Sequence, residues 1–156
     1  MSGRRTKPWY VDGLPFECTC CGNCCTGPEG AVWFDDAEGR AMAEHLGLEH
    51  KDFIEAYTRK IHGHRSLRER ETVHGFDCVF LDRETEPGKA FCSIYEVRPV
   101  QCRTWPFWPE VIRSRSAWDR TREATPCPGM GRGQVIRIEE IVDRLHKQRS
   151  SGSKPW

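Results

Sequence analysis

Short apolar runs punctuate the chain, and three of them keep helical spacing. After Asp35 and Asp36, either of which can cap a helix, Ala37, Ala41, Met42 and Leu46 recur at helical intervals until Gly47 ends the pattern. A second helix, from about Lys51, carries Phe53, Ala56, Tyr57 and Ile61 at i, i+3, i+4 and i+8. A third, near the end, carries Ile138, Ile141, Val142 and Leu145 at i, i+3, i+4 and i+7. Between them the pattern turns to strands. Residues 31–34 are a short extended run, and residues 66–76 alternate weakly, as an edge strand would. Residues 77–82 and 90–94 read as two strands of a hairpin around Pro87-Gly88, which would bring Cys78 and Cys92 close. Arg98-Pro99 opens a helix with Cys102 in its first turn, and the aromatic block 105–109 stops it. Residues 110–125 are polar and Arg-rich, helical or irregular.

These elements predict a small α+β domain, helices and a short hairpin arranged around a loop. Residues 1–14 form a flexible arm in which Trp9 and Tyr10 can anchor to the body. Residues 15–148 form the domain, and the Ser/Gly/Lys tail 149–156 is expected to be disordered. With 156 residues, 37% of them hydrophobic and 30% charged, two self-sufficient cores are not expected, and a cross-linking metal would help one.

The loop at the centre is 16–25, Phe-Glu-Cys-Thr-Cys-Cys-Gly-Asn-Cys-Cys, half of it cysteine. Five adjacent thiols pack poorly as a core and oxidise readily, whereas a soft cation converts them to bound thiolates. Gly22 permits a positive φ inside this loop. The N-terminus is basic but no apolar run follows it, so neither a secretory nor a twin-arginine signal is expected. No stretch approaches a membrane span. The expected compartment is the reducing cytoplasm, and nine cysteines cannot all pair within the chain. Metal ligation therefore outweighs disulfides. Lys plus Arg (24) balances Asp plus Glu (23), which argues against a nucleic-acid partner.

Cys18, Cys21 and Cys24 follow the C-x₂-C-x₂-C pattern of ferredoxin-type sites, where a distant Cys-Pro completes the set, and Cys127-Pro128 can play that part. The same spacing also begins most zinc sites. Cys25 diverges from Cys24 and would serve a second centre with Cys78, Cys92 and Cys102. The eight cysteines as a set are a firmer expectation than this grouping. Zinc and an iron–sulfur cluster both satisfy the donors, and the Cys-Pro pair tilts the reading toward iron–sulfur. Arg98 and Arg103 flank Cys102, where they could compensate thiolate charge or face solvent, and Tyr95 could donate to a sulfur. Trp105, Phe107 and Trp108 could shield a metal or form core. His62 and His64 read as exposed, and Arg113, Arg115, Arg120 and Arg122 as a solvated face.

Phe16-x-Cys18-x-x-Cys21-Gly22-x-Cys24-Cys25 resembles the opening signature of the YkgJ-type cysteine cluster proteins, a zinc- or iron-chelating family. Cys78-Val-Phe-Leu, Cys92-Ser-Ile-Tyr95-Glu-Val-Arg98-Pro99-Val-Gln-Cys102-Arg103-Thr-Trp-Pro106 and Cys127-Pro128-Gly129 follow in the family's order. The resemblance covers roughly residues 14 to 145. It implies a metal site and leaves Cys20 outside the shared pattern. The family is similar here to the cysteine-rich part of bacterial flagellin lysine methylases, which implies an iron–sulfur option. Three functions remain open at this point: a redox or metal-handling protein, a protein-modifying enzyme dependent on a cluster, and a zinc-stabilised interaction module without catalysis.

Overall fold

In a computed structural model, which describes residues 6–150, the first helix, α1 (Asp36–His45), begins at a reciprocal cap. The Glu38 N–H donates to Asp35 Oδ1 at 2.8 Å, and the Asp35 N–H donates to Glu38 Oε2 at 2.9 Å. Such a box stabilises a helix start by about 1 kcal/mol. Of the expected face of α1, Met42 is buried and Leu46 packs against the core, but Ala37 and Ala41 are exposed and Gly39 and Ala43 are buried in their place. Gly39 explains the rotation. A Cβ there would stand 3.0 Å from the Phe34 ring, so the missing side chain lets that ring cover the helix.

The second helix, α2 (His50–Tyr57), stops short of Ile61. The chain instead enters β2 (Thr58–Ile61), which pairs antiparallel with β3 (His64–Leu67). The connecting His62-Gly63 has φ of 49° and 82°, the left-handed pair that a two-residue hairpin requires. The weak strand expected over 66–76 is divided between β3 and β4 (Glu69–Thr72), which pairs with β5 (Gly75–Cys78). The strand expected over 77–82 is divided too. Asp77 and Cys78 end β5, while β6 (Leu81–Asp82) pairs with β7 (Phe91–Cys92). Cys78 stands opposite Glu69 and Cys92 opposite Leu81, so the two cysteines lie in separate hairpins.

The expected helix after Pro99 is α3 (Val100–Thr104), followed by α4 (Pro109–Ile112), α5 (Arg115–Ala124) and α6 (Ile138–Ser150). Before α6 runs a strand with no apolar alternation, β8 (Met130–Ile136), paired antiparallel with β1 (Leu14–Phe16). Its glycines Gly131 and Gly133 adopt positive φ where the register shifts between Pro15 and Phe16. The expected arm is anchored at Trp9, whose Nε1 donates to Ile112 O at 2.7 Å. The expected tail lies mostly outside the described residues. Among the described residues no helix is long and apolar enough to cross a membrane.

Two apolar clusters result. One joins Phe34, Met42, Phe53, Leu67, Phe80 and Ile94. The other joins Leu14, Phe107, Val111, Trp118, Met130, Ile141 and Leu145. Helix α3 ties elements of both together through polar bonds. Gln101 accepts from Trp33 N at 3.0 Å and donates to Ala31 O at 3.1 Å, while Val100 N donates to Glu38 Oε1 at 2.7 Å. On its other side Thr104 Oγ1 meets Gln148 Oε1 at 3.1 Å.

Among the described residues one ion pair has a fully buried carboxylate. Asp77 is fully buried and accepts from Arg83 Nε at 2.7 Å and a second guanidinium nitrogen at 3.1 Å. Burial alone would raise the Asp77 pKa. The Arg83 pair, with Thr26 and Thr72, more than offsets it and holds the carboxyl below its usual range. A depressed pKa contributes stability above the unfolded-state value, about 3.9, and that contribution is lost as pH falls through the folded-state value. Asp77→Asn should strand the guanidinium and cost about 3 kcal/mol. Urea unfolding at neutral pH should show this loss, and the wild-type advantage over the variant should shrink as the pH is taken below about 4.

Candidate metal centre

The cysteine loop is held in place by its backbone. Gly22, at φ 75°, precedes a single 3₁₀ turn (Asn23–Cys25), and Cys25 N donates to Gly22 O at 3.0 Å. A Cβ at Gly22 would stand 2.7 Å from Ala90 Cβ, so only glycine allows the loop so close to the start of β7. Ala90 N donates to Cys20 O at 2.8 Å across this contact. At its far end the loop meets the turn before β8, where Asn23 Nδ2 donates to Pro126 O at 2.8 Å and Glu17 N donates to Gly129 O at 3.2 Å.

This folding puts the sulfurs on one wall. A cavity of about 420 Å³ is lined by Cys18, Cys20, Cys24, Cys25, Cys78, Cys92 and Cys102. Leu67 and Ile94 of the first cluster and Trp105 and Trp108, packed on the second, complete its sides. The cavity therefore lies where the two cores meet. Cys127 is buried in the second cluster beside Trp105, within electrostatic reach of Cys24. Cys21 accepts a hydrogen bond from Asn23 N at 3.4 Å. The side chains line a space rather than meet at a point: among the described residues no three His, Cys, Asp or Glu groups are placed to hold one ion.

The thiols raise one another's pKa. Burial pushes Cys102 well up, and Cys78, Cys92 and Cys24 push further against Arg98. Burial takes Cys78 up to about 12, with Cys92 adding to it. Cys92 is raised by burial and by Cys24, while the Ile94 N–H and Arg98 oppose. Cys24 is raised by its bond to Cys25, 3.8 Å away between sulfurs, and then by burial. Cys24, Cys78, Cys92 and Cys102 thus form one electrostatic neighbourhood. Cys127 is raised by burial, against the Met130 N–H and the Trp105 indole. Cys20 is raised by burial and by Cys18.

The flanking side chains divide. Arg98 lines the cavity with its guanidinium 3.7 Å from the Tyr95 ring centroid, and Tyr95 is exposed at the rim. Arg103 is exposed and does not line the cavity. Trp105 and Trp108 reach the cavity, whereas Phe107 is core. His62 and His64 lie outside the cavity, with His64 edge-on to Trp33. Sequence reasoning missed Arg83. Its guanidinium senses Cys25 and Cys21 while bound to Asp77, and nothing in residues 77–83 but the Asp/Arg pairing itself could have signalled this.

The donors fit a thiolate-bound metal. Two buried N–H groups beside the sulfurs lack a well-placed acceptor: Arg98 Nε has none, and Trp105 Nε1 reaches the Cys127 sulfur only outside normal hydrogen-bond geometry. A buried donor without an acceptor costs roughly 1–3 kcal/mol. A neutral thiol is a poor acceptor, and a metal-bound thiolate is a good one.

Residues 17–128 match the family model CxxCxxCC, described as "Putative zinc- or iron-chelating domain". The chain belongs to that family. Over 102 residues it is 32% identical to Uncharacterized protein MJ0661 of Methanocaldococcus jannaschii, a match covering 65% of this chain and 50% of the relative. The chain thus spans about half the length of that curated relative. No solved structure matches. The matched span of the CxxCxxCC domain takes in all eight pattern cysteines, Cys18 through Cys127.

Gly22→Ala should force a left-handed alanine against Ala90 and cost about 2 kcal/mol. The expected result is a lower thermal midpoint with faster alkylation of Cys20 and Cys21; an unchanged midpoint would mean that the loop relaxes freely.

Proposed function

We propose that this protein is a cytoplasmic iron–sulfur protein whose cluster is held at the wall shared by its two cores. The observation that carries the reading is the cavity itself, on which sulfurs from four separate parts of the chain converge beside two N–H donors that lack well-placed acceptors. A zinc ion needs four sulfurs at the corners of a tetrahedron with edges of about 3.8 Å, from a Zn–S bond near 2.3 Å. Seven cysteines from four parts of the chain line the cavity, more than the four that one tetrahedral ion takes, and this number favours a polynuclear centre. Cys24, Cys78, Cys92 and Cys102 are the nearest candidates for one ligand set. Cys18, Cys21, Cys25 and Cys127 complete the family's pattern around it.

Such a centre would supply one-electron redox chemistry. The protein's own groups would do the rest. Arg98 and Arg83 would offset thiolate charge, and the Trp105 N–H would donate to Cys127. Trp105 and Trp108 would limit water at the sulfurs, which raises or lowers a cluster's potential.

One observation favours a second reading. The Cys24–Cys25 sulfur separation of 3.8 Å equals a zinc tetrahedron's edge. A zinc-stabilised module without redox chemistry would use that pair as two of its four corners.

Anaerobic purification followed by iron, sulfide and zinc analysis decides between them. Brown protein with matching iron and sulfide supports the cluster; colourless protein with stoichiometric zinc supports the module and overturns the first reading. In either case Cys102→Ser and Cys21→Ser should lower metal content and destabilise the fold, while Cys20→Ser should leave both nearly unchanged. Equal losses in all three variants would overturn the division between ligands and the ninth thiol.

A further inference from the structure

A second cavity, about 470 Å³, lies against the same sulfur wall. It shares Cys24, Cys25 and Cys78 with the first cavity but differs in charge. Among the described residues Arg98 is the one charged side chain lining the first. The second has Glu29 and Glu69, and among the described residues no Lys, Arg or His lines it. Three aromatic residues, Phe76, Trp105 and Trp108, are also on its wall.

From this opposition we propose that the second cavity binds a small organic cation, a protonated amine, next to the metal site. Glu69 is the anchoring group. Its side chain is only 9% exposed, yet just one of its oxygens is engaged: Oε1 accepts from Gly30 N at 2.8 Å and from Arg59 at 3.3 Å. Oε2 has no partner. A carboxylate oxygen open to a cavity can take a donor from a ligand, and an ammonium group supplies three. Arg59 does not fill that role, because it stands outside the cavity lining and bonds Oε1, Glu29 Oε1 and Gly30 O. One guanidinium between two carboxylates leaves a net negative charge. Aromatic rings add cation–π attraction, about 0.5–2 kcal/mol where water is excluded. An anion would meet two carboxylates and the sulfurs with no cation to hold it.

This binding goes beyond the metal reading and does not depend on which metal is present. A ligand seated here would lie against Cys24, Cys25 and Cys78, so a cationic side chain or free amine could be presented to the sulfur site from the acidic side.

The test uses the full chain as purified, with its metal bound, and three probes of one shape: n-butylammonium, n-butanol and butanoate. Amide chemical shifts and tryptophan fluorescence are followed in titrations. The expected result is saturable binding of butylammonium alone, with shifts at Thr26, Gly27, Gly30 and the Trp105 indole. Glu69→Gln should weaken it at least tenfold with metal content unchanged. Glu29→Gln, at a side chain 64% exposed and remote from the core, should weaken it about threefold and covers the case in which Glu69→Gln fails to fold. Equal response to butylammonium and butanol, preference for butanoate, or shifts away from residues 26–30 would each overturn the proposal. Loss of metal from the wild-type protein would count against the metal reading instead, and the amine titration would still be read on what remains folded.

Discussion

Crowded sulfur is the constraint on which the rest of this structure depends. Seven thiols line one cavity and an eighth sits behind Trp105. Burial and mutual proximity raise the pKa of Cys24, Cys78, Cys92 and Cys102 together, because each thiolate would repel the next in a region that hydrates charge poorly. Protons satisfy this arrangement only weakly, since neutral thiols leave Arg98 Nε without an acceptor and Trp105 Nε1 with only a poorly placed one at Cys127. A bound metal removes both difficulties at once. It replaces the protons, neutralises the repulsion and turns each sulfur into an acceptor. The family's zinc- or iron-chelating description agrees with that chemistry.

The fold's two small cores make sense in this light. Phe53 and Met42 centre one cluster, Trp118 and Ile141 the other, and few apolar contacts are shared between them. Polar bonds from α3 join the halves, through Gln101 to residues 31 and 33 and through Thr104 to Gln148. Polar bonds give about 1 kcal/mol each, which is a modest seam for two cores. The cavity lies along this seam, so a metal bridging Cys78 or Cys92 on one side with Cys24 or Cys102 on the other would contribute its binding energy to holding the halves together.

Cysteine spacing carried most of what was legible in the sequence. The loop 16–25, the glycine conformation at Gly22, the cap at Asp35, α3 after Pro99 and α6 all follow from local signals that tertiary contacts reinforce. Failures fall where a tertiary partner overrides a local pattern. Phe34 turns α1 by covering Gly39, and β8 draws its pairing from β1 across more than a hundred residues while showing no alternation of its own. Strand 77–82 divides because its first two residues pair with β4 and its last two with β7, a partition between hairpins that no periodicity encodes. At the site, Arg98 is where the flanking-charge argument put it, but Arg103 is not. Arg103 sits on the exposed face of α3, whereas Arg98 precedes that helix in the extended backbone before Pro99, so the two side chains leave the chain in different settings.

The division of labour between those two arginines bears on how charge is arranged around the sulfurs. Arg98 lines the cavity with a buried Nε and is braced by the exposed Tyr95 ring, whereas Arg83 is already paired with Asp77. A guanidinium committed to a buried carboxylate contributes directionality more than net charge. Arg98, with no carboxylate partner, is the cation free to respond when the charge on the sulfurs changes. The field across the wall is therefore asymmetric: positive at Arg98, negative at Glu29 and Glu69 in the neighbouring cavity. A cation approaching that wall from the side of the second cavity would meet the carboxylates before it met Arg98.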